Sequence, residues 1–477
     1  MRVLLINPNT IKPPVAPIGI DYIADWVVAS GHQPLLLDLC FEPDGESAVR
    51  RQLGNVSPEL IGITIRNTDD CYFSSRRFFL PEVRKLICNL RSLSSAPIVL
   101  GGVGYSVAPA AILQFCEADF GIAGDGEYAL VELINALDRH EDPRGIPGLC
   151  YRMSGQARLN PPRAIDLGLL PPRSRAFIDN ARYFREGGQG GFETKRGCPM
   201  ECCYCADPIA KGRRVRTVPP VKVAKELEAL LDQGVDHLHT CDSEFNLPPE
   251  HALAVCEEIV RAGLGERIRW YAYCSPAPFT ADMAKQFKRA GCAGINFGAD
   301  SGSDEMLARL GRHFRANDLE RTAMICHEHS IPFMFDLLIG GPGETFHTVA
   351  RTIELMRRLD PDCVGVSLGV RLYPGTQLAD RAAAARPEEN SPLHGATADN
   401  PEMLEPVFYL SADLGDDARS VLTSLVQDDP RFFLPESVGT APGYNYNDNI
   451  PLTEAIRNGS RGAYWDILRR LRKTGTI

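Results

Sequence analysis

The chain has 477 residues, 44% of them apolar and 23% charged. That is room for about three domains with cores of their own, and it excludes a disordered or collagen-like polymer. With 51 basic against 61 acidic residues, a net charge of −10, the balance has the wrong sign for a protein that neutralises nucleic-acid phosphates. Its 15 cysteines are too sparse over this length for a secreted disulfide scaffold.

The chain opens Met1-Arg2-Val3-Leu4-Leu5-Ile6-Asn7-Pro8. This is a short apolar strand that breaks at once, not a charged leader with a long apolar core, so no signal peptide is expected. No run of about 18 apolar residues occurs, so no membrane-spanning helix is expected. A thiol-rich chain without an export signal points to a reducing cytoplasm, with most cysteines packed as small hydrophobes.

Residues 1–140 alternate strand and helix. Apolar strands are predicted at 3–6, 34–37, 60–64, 98–100 and 120–123, with amphipathic helices such as 20–30 and 81–93 between them. The alternation predicts an α/β domain whose parallel sheet is covered on both faces, with ligands beyond the carboxyl ends of the strands. Those ends carry Asn9-Thr10, Arg66-Asn67, Gly101-Gly102-Val103-Gly104-Tyr105 and Gly124-Asp125-Gly126-Glu127. Gly-rich turns either let a ligand approach the backbone or are simply tight. No Gly-x-Gly-x-x-Gly follows the first strand, which disfavours a dinucleotide.

Residues 141–187, with Pro161-Pro162 and Pro171-Pro172, read as a connector. A second alternating series fills 188–384. Its strands are predicted at 191–195, 237–241, 269–273, 294–298, 333–339 and 364–368, with helices such as 221–233, 281–290 and 345–359. Six β/α units predict a partial (β/α)6 barrel of the TIM type, with its chemistry at the strand carboxyl ends. Residues 385–477 break the pattern: a polar stretch at 386–400, a helix-like segment at 417–426 and an aromatic-rich end. They are expected to form a small, mainly helical cap that shapes the substrate pocket.

After the first strand of the second series comes Arg196-Gly197-Cys198-Pro199-Met200-Glu201-Cys202-Cys203-Tyr204-Cys205. Cys198, Cys202 and Cys205 are spaced Cys-x3-Cys-x2-Cys. Three thiolates on one short loop can hold three irons of a [4Fe-4S] cluster, leaving the fourth iron open. Zinc also accepts thiolates, but a structural zinc site needs a fourth ligand, and no second Cys pair or His pair lies nearby. Cys203 breaks the spacing and reads as a packed neighbour.

This loop, with Tyr204 just before its last cysteine, closely resembles the cluster motif of the radical S-adenosylmethionine (SAM) superfamily. The resemblance implies that the open iron binds the amino and carboxylate groups of SAM. It implies further SAM contacts from Asp242 and Glu244 after the second strand, and from Asp300 and Ser301 after the fourth, where Asp300 stands in place of the usual Glu. Gly340 in the loop after the fifth strand and Arg371 after the sixth complete the set. The domain ahead of the loop resembles the Rossmann-like cobalamin-binding domain of the B12-dependent radical SAM enzymes. No Asp-x-His-x-x-Gly motif is present, so the resemblance implies base-off cobalamin without a histidine ligand. Its nucleotide tail would lie against Gly101, Gly102, Gly104, Tyr105, Gly124, Gly126 and Glu127, near Asn9 and Thr10, with Arg66 and Asn67 under the corrin.

The resemblance covers roughly residues 1–380 and implies an enzyme. Reductive cleavage of SAM would give a 5′-deoxyadenosyl radical, and methylcobalamin would donate a methyl group to a carbon of a small-molecule substrate. An external electron donor of flavodoxin or ferredoxin type would serve it. A cobalamin-dependent ring rearrangement or cyclisation without methyl transfer stays open, as does a non-catalytic cobalamin or cluster sensor. The methylthiotransferases share the layout but carry three more cluster cysteines and an RNA-binding tail. Here Cys40, Cys71, Cys88 and Cys116 are scattered, and the tail is acidic at Asp413, Asp416, Asp417, Asp428 and Asp429.

Other residues divide between function and packing. Tyr271 and Tyr273 alternate on one strand and are candidates to line the substrate space or act in catalysis. His237 and His239 alternate likewise, and read more readily as hydrogen-bonded core groups. Tyr444, Tyr446, Tyr464 and Trp465 suggest a small aromatic core. Glu305 and Arg312 are expected on a solvated helix face. The run Arg213, Arg214, Arg216 either offsets cluster or substrate charge or is a surface patch.

Overall fold

The computed structural model describes residues 1–384, 391–415, 417–435 and 443–476. Residues 386–390 of the polar stretch, and Asp416, lie outside the described residues.

Strands β1 (Arg2–Asn7), β2 (Gln33–Asp38), β3 (Leu60–Thr64), β4 (Ile98–Gly101), β5 (Phe120–Ile122), β6 (Leu149–Met153) and β7 (Gln156–Leu159) form one sheet in the order β2-β1-β3-β4-β5-β6-β7. The first five run parallel, and β6 and β7 are antiparallel. Leu4, Ile6, Ile61, Ile63 and Leu100 feed one core, while Val3, Leu5, Leu60 and Val99 feed another on the opposite face. Both faces are buried, which is why these strands read as continuous apolar runs rather than alternating ones. The hairpin β6–β7 comes from the segment read as a connector. Only the later part of that segment crosses over, packing Ile165, Leu167 and Leu170 against the second domain.

The second sheet begins with β8 (Gly190–Phe192). Next, β9 (Lys195–Arg196) and β10 (Arg216–Thr217) pair antiparallel and bracket the cysteine loop. Strands β11 (His237–Thr240), β12 (Arg269–Cys274), β13 (Cys292–Asp300), β14 (Phe333–Ile339) and β15 (Cys363–Leu368) continue the parallel sheet. A small antiparallel sheet, β16 (Val370–Arg371), β17 (Leu393–Gly395) and β18 (Val407–Tyr409), stands at its rim. Finally β19 (Phe432–Phe433), from the C-terminal segment, adds parallel to β15. The order is β19-β15-β14-β13-β12-β11-β8, an open partial barrel.

Period-two alternation sorts its side chains. Trp270, Ala272, Ile295, Phe297, Phe333, Phe335, Val364 and Val366 join the outer core under the helices. Tyr271, Tyr273, Gly294, Asn296, Gly298, Met334, Asp336, Cys363 and Gly365 occupy the alternate, inner positions.

The C-terminal segment is helical at Ala418–Val426, Ile450–Arg457 and Tyr464–Lys473, yet it does more than cap a rim. Trp465 packs with Tyr271, Met334, Cys363 and Phe433 across the floor of the lumen. Gly294 leaves room for it, since a Cβ there would stand 3.0 Å from the Trp465 ring. An open barrel has an unpaired edge and an unfilled interior; β19 covers the first and Trp465 fills the second.

Buried ion pairs lock the domains together. Arg175, in the connector, is fully buried and pairs at 2.8 Å with both Asp21 of the first domain and Glu226 of the barrel. Arg371 pairs with Asp69 at 2.9 Å across the other side. Arg196 beside the cysteine loop meets Glu127 at 2.7 Å and Asp125 at 3.1 Å. Among the described residues no helix is long and apolar enough to cross a membrane.

Candidate active site

The cysteine loop is held by its backbone. The Cys198 amide donates to Gly212 O, and the Cys203 amide to Leu310 O, each at 3.0 Å. Gly197 adopts φ +93° and lies so close to the Arg214 carbonyl that any Cβ would overlap it. Cys203 is buried with Leu310, Val370, Leu372 and Leu378, turned away from the others as the spacing implied. The Cys202 thiol accepts from Arg312 Nη1 at 3.1 Å. Burial pushes the Cys198 and Cys202 thiols up, and Arg312 pulls Cys202 back down. Among the described residues no three His, Cys, Asp or Glu side chains converge on one point as a single-ion site requires. In a four-iron cluster each thiolate binds its own iron, so three thiols spread along one loop suit it.

Arg312 is the organiser of this region. Expected on a solvated helix face, it is instead buried, because Gly311 at φ +74° turns the chain inward under the loop. It faces Asp300 at 3.4 Å and Glu244 at 3.7 Å. Asp300 also accepts from the Tyr204 hydroxyl at 2.6 Å. The carboxylate, one methylene shorter than the usual Glu, is thus engaged by Tyr204 and Arg312. Glu244 Oε2 and Arg312 Nε are buried without a hydrogen-bond partner, although Nε lies 3.4 Å from Asp300. Burial, opposed by Arg312, pushes Glu244 up to about 7. Orphaned polar atoms beside three thiols are what a site for a cluster and a zwitterionic ligand requires.

Four residues expected to touch SAM also have partners within the protein. Asp242 accepts from the Thr194 amide at 2.8 Å and its hydroxyl at 2.6 Å, and pairs with Lys195 at 3.3 Å. Ser301 hydrogen-bonds Thr352 at 3.0 Å in a buried turn. Arg371 is spent on Asp69 and on the Met403 and Leu404 carbonyls. The Gly340 amide donates to Glu344 Oε2 at 2.6 Å. Each motif ends a strand, and each closes its own turn.

Glu344 yields a testable consequence. It is fully buried, and burial, opposed by the Gly340 and Gly341 amides, pushes it from 4.5 up to about 7. The folded state therefore holds a proton that the unfolded chain has released, and stability falls as pH rises through that window. The variant Glu344→Gln is expected to gain thermal stability relative to wild type between pH 5 and pH 8, roughly the window of this shift. Parallel Tm–pH curves for the two proteins would contradict it.

On the cobalamin-like domain, a cavity of about 430 Å³ opens at the carboxyl ends of β1 and β3. Asn9, Thr10, Arg66 and Asn67 line it together with Ile11, Leu39, Phe79 and Leu86. Its mixed apolar and polar wall fits a ligand with an aromatic base and a charged linker. The glycine turns behave differently from expectation. A Cβ on Gly102 would lie 2.6 Å from Ile65 O, and on Gly104 2.7 Å from Arg66 O. They let the turn after β4 press on the loop after β3, so the close approach is chain to chain. Tyr105 is fully buried against Gly121, Gly124 meets Pro162, Gly126 meets Ile23, and Glu127 is paired with Arg196. A Cβ on Gly101 would meet nothing within 4 Å. These residues pack the turns, while the β1 and β3 loops line the cavity.

Between the cysteine loop and the Trp465 floor lies a polar layer that the sequence reading largely missed. Asp336 accepts from Asn296 Nδ2 at 2.6 Å and from the Tyr444 hydroxyl, with Tyr273 as a further partner. Tyr72, from the loop after β3, donates to the Tyr444 carbonyl at 2.9 Å. Tyr273 therefore belongs to this chamber, whereas Tyr271 donates to Asp466 at 3.0 Å in the floor. His239 bonds the Thr240 carbonyl at 2.7 Å, and His237 pairs with Asp236 at 2.8 Å. A signal was available: Asp336 is a lone carboxylate in the otherwise apolar strand Phe333–Ile339.

Two family models match the chain, a B12 binding domain over residues 5–134 and the Radical SAM superfamily over residues 192–356. The tryptophan 2-C-methyltransferase of Streptomyces laurentii is 32% identical over 97% of this chain and 95% of its own length. The radical SAM methyltransferase TsrM of Kitasatospora setae, solved with tryptophan substrate and the SAM analogue aza-SAM, gives a TM-score of 0.92 at 32% identity, covering 100% of this chain and 98% of that one. Its structure with cobalamin and a [4Fe-4S] cluster gives a TM-score of 0.88 at 31% identity, covering all of both chains.

Proposed function

We propose, for a chain that belongs to the cobalamin-dependent radical SAM methyltransferases, that the carbon it methylates lies on tryptophan or a close indole relative. One observation carries this: identity to a tryptophan 2-C-methyltransferase runs over 97% of the chain. It therefore extends through the C-terminal segment, whose Tyr444 and Trp465 wall and floor the chamber.

The enzyme works with a [4Fe-4S] cluster, SAM and cobalamin. When bound, SAM is the source of the methyl group and cobalamin its carrier. The chain's own residues supply placement. In this reading Cys198, Cys202 and Cys205 hold the cluster, Arg312 offsets its charge, and the Tyr204–Asp300 pair with Glu244 lines the SAM side. Asn9, Thr10, Arg66 and Asn67 face cobalamin, whose nucleotide end suits the cavity between the β1 and β3 loops. The Trp465 floor keeps water from entering below. An electron donor of flavodoxin or ferredoxin type suits Arg213 and Arg214, both exposed beside the cysteine loop. A reducing cytoplasm suits fifteen cysteines that are all free.

The test is anaerobic reconstitution with iron, sulfide and cobalamin, followed by tryptophan and SAM labelled in its methyl group. The expected product is tryptophan heavier by one labelled methyl. Unlabelled product would mean rearrangement or cyclisation instead, and unchanged tryptophan and indole analogues would remove the proposed substrate.

A further inference from the structure

We propose that Asp336, with Asn296 beside it, is the specificity-determining acceptor of this enzyme: it receives a hydrogen-bearing nitrogen of the substrate, either an α-ammonium or a ring N–H. The inference deepens the tryptophan reading and rests on it.

Three observations support it. First, the strand register opens space around this one side chain. Asp336 pairs with Gly298 on β13 and with Gly365 on β15, so neither neighbouring strand carries a side chain beside it. Tyrosine rings lie over those gaps instead. A Cβ on Gly298 would stand 3.1 Å from the Tyr273 ring and hydroxyl, and one on Gly365 would overlap the Tyr444 ring. Second, Asp336 is deep in the lumen yet is not fully buried, and neither are Tyr273, Tyr444, Tyr446 and Tyr72. It therefore looks into a chamber and not into packing. Third, an acceptor there is left without a donor. Asn296 gives its amide hydrogen to Asp336 at 2.6 Å, and its own carbonyl oxygen Oδ1 is buried with no partner.

A carboxylate and an orphaned amide oxygen, walled by aromatic rings, make a receptor for a nitrogen donor carried on a flat apolar body. The ionisable groups facing Asp336 are Tyr72, Tyr273, Tyr444, Tyr446 and, further up the lumen, Asp300. Burial, opposed by hydrogen bonds from Tyr444, Asn296 and Tyr273, pushes Asp336 up to about 6. The three donors aimed at it favour its carboxylate form. The layers of the lumen then have separate tasks: sulfur and Arg312 above, nitrogen recognition in the middle, an apolar floor below.

The experiment is equilibrium binding to the reconstituted holoenzyme of tryptophan, 1-methyltryptophan (no ring N–H) and indole-3-propionate (no ammonium). Wild type is expected to favour tryptophan over one of the two analogues by about 10- to 100-fold, the usual worth of a hydrogen bond to a charged group. The isosteric variant Asp336→Asn is expected to shrink that gap to about threefold or less. The analogue that loses its penalty identifies which nitrogen is read. Iron and cobalamin contents equal to wild type show that the variant is folded. If wild type discriminates and Asp336→Asn discriminates equally, this inference is overturned while the tryptophan reading stands. If wild type binds no tryptophan, both fall.

Discussion

Alanine at Cys198, Cys202 and Cys205 together is expected to leave a folded protein that binds no iron and transfers no methyl group. On the proposed reading the three thiols hold the cluster, and the shape of their loop does not depend on them. It is fixed by the β9–β10 pair, by the Cys198 amide on Gly212 and by Gly197. Removing the thiols therefore takes away the ligands without unfolding the loop. Thiolates bind iron only when deprotonated, and burial holds all three thiols up, so iron binding releases protons and weakens as pH falls. Cys203→Ala is the internal control: its sulfur faces Leu310 and Val370, and the variant is expected to keep its iron. Iron analysis and the visible absorption of the cluster read the outcome. Unchanged iron in the triple variant would disprove the cluster assignment.

Replacing Arg175 by methionine is expected to destabilise the protein by about 3–5 kcal/mol, the usual cost of stranding a buried charge. The guanidinium reaches Asp21 at 2.8 Å, Glu226 at 2.8 Å, the Gly191 carbonyl at 2.8 Å and the Asn180 side chain at 2.8 Å. Both carboxylates are as buried as the arginine. Methionine fills similar volume but strands the buried Asp21 carboxylate, while Glu226 keeps only its pair with Arg173. The apparent Tm is expected to drop by roughly 3–5 °C. Adding Asp21→Asn is expected to recover much of the loss, because it removes the buried charge that Arg175 had neutralised. A single variant as stable as wild type would show that the domains are held by apolar contact alone. The position matters for function, since this knot sets the cobalamin-binding sheet against the barrel.

The parts of this protein that were legible in the sequence share a short range. The five parallel strands of the first domain announced themselves because both of their faces are buried. The six barrel strands announced themselves by turns and period. The proposed cluster ligands lie within eight residues, Cys198 to Cys205, so their spacing was enough to suggest the chemistry. Other readings failed for identifiable reasons. A glycine says only that something comes close. At Gly102 and Gly104 that something is the β3 loop, while at Gly298 and Gly365 it is a tyrosine ring. Arg312 was lost because one residue, Gly311, reverses the direction expected from its helix. Asp69 and Arg371, separated by 302 residues in the chain, find each other across a domain boundary.

The amino-acid sequence thus determined the α/β class, the order of domains and the chemistry at the cysteine loop, since each is written in local spacing and in the burial of consecutive residues. Only the tertiary structure decided which charges are neutralised, which polar atoms stay unpaired, and that the C-terminal segment floors the barrel. Those outcomes depend on groups brought together from distant parts of the chain, where burial makes an unmatched charge or hydrogen bond costly and so selects a single arrangement.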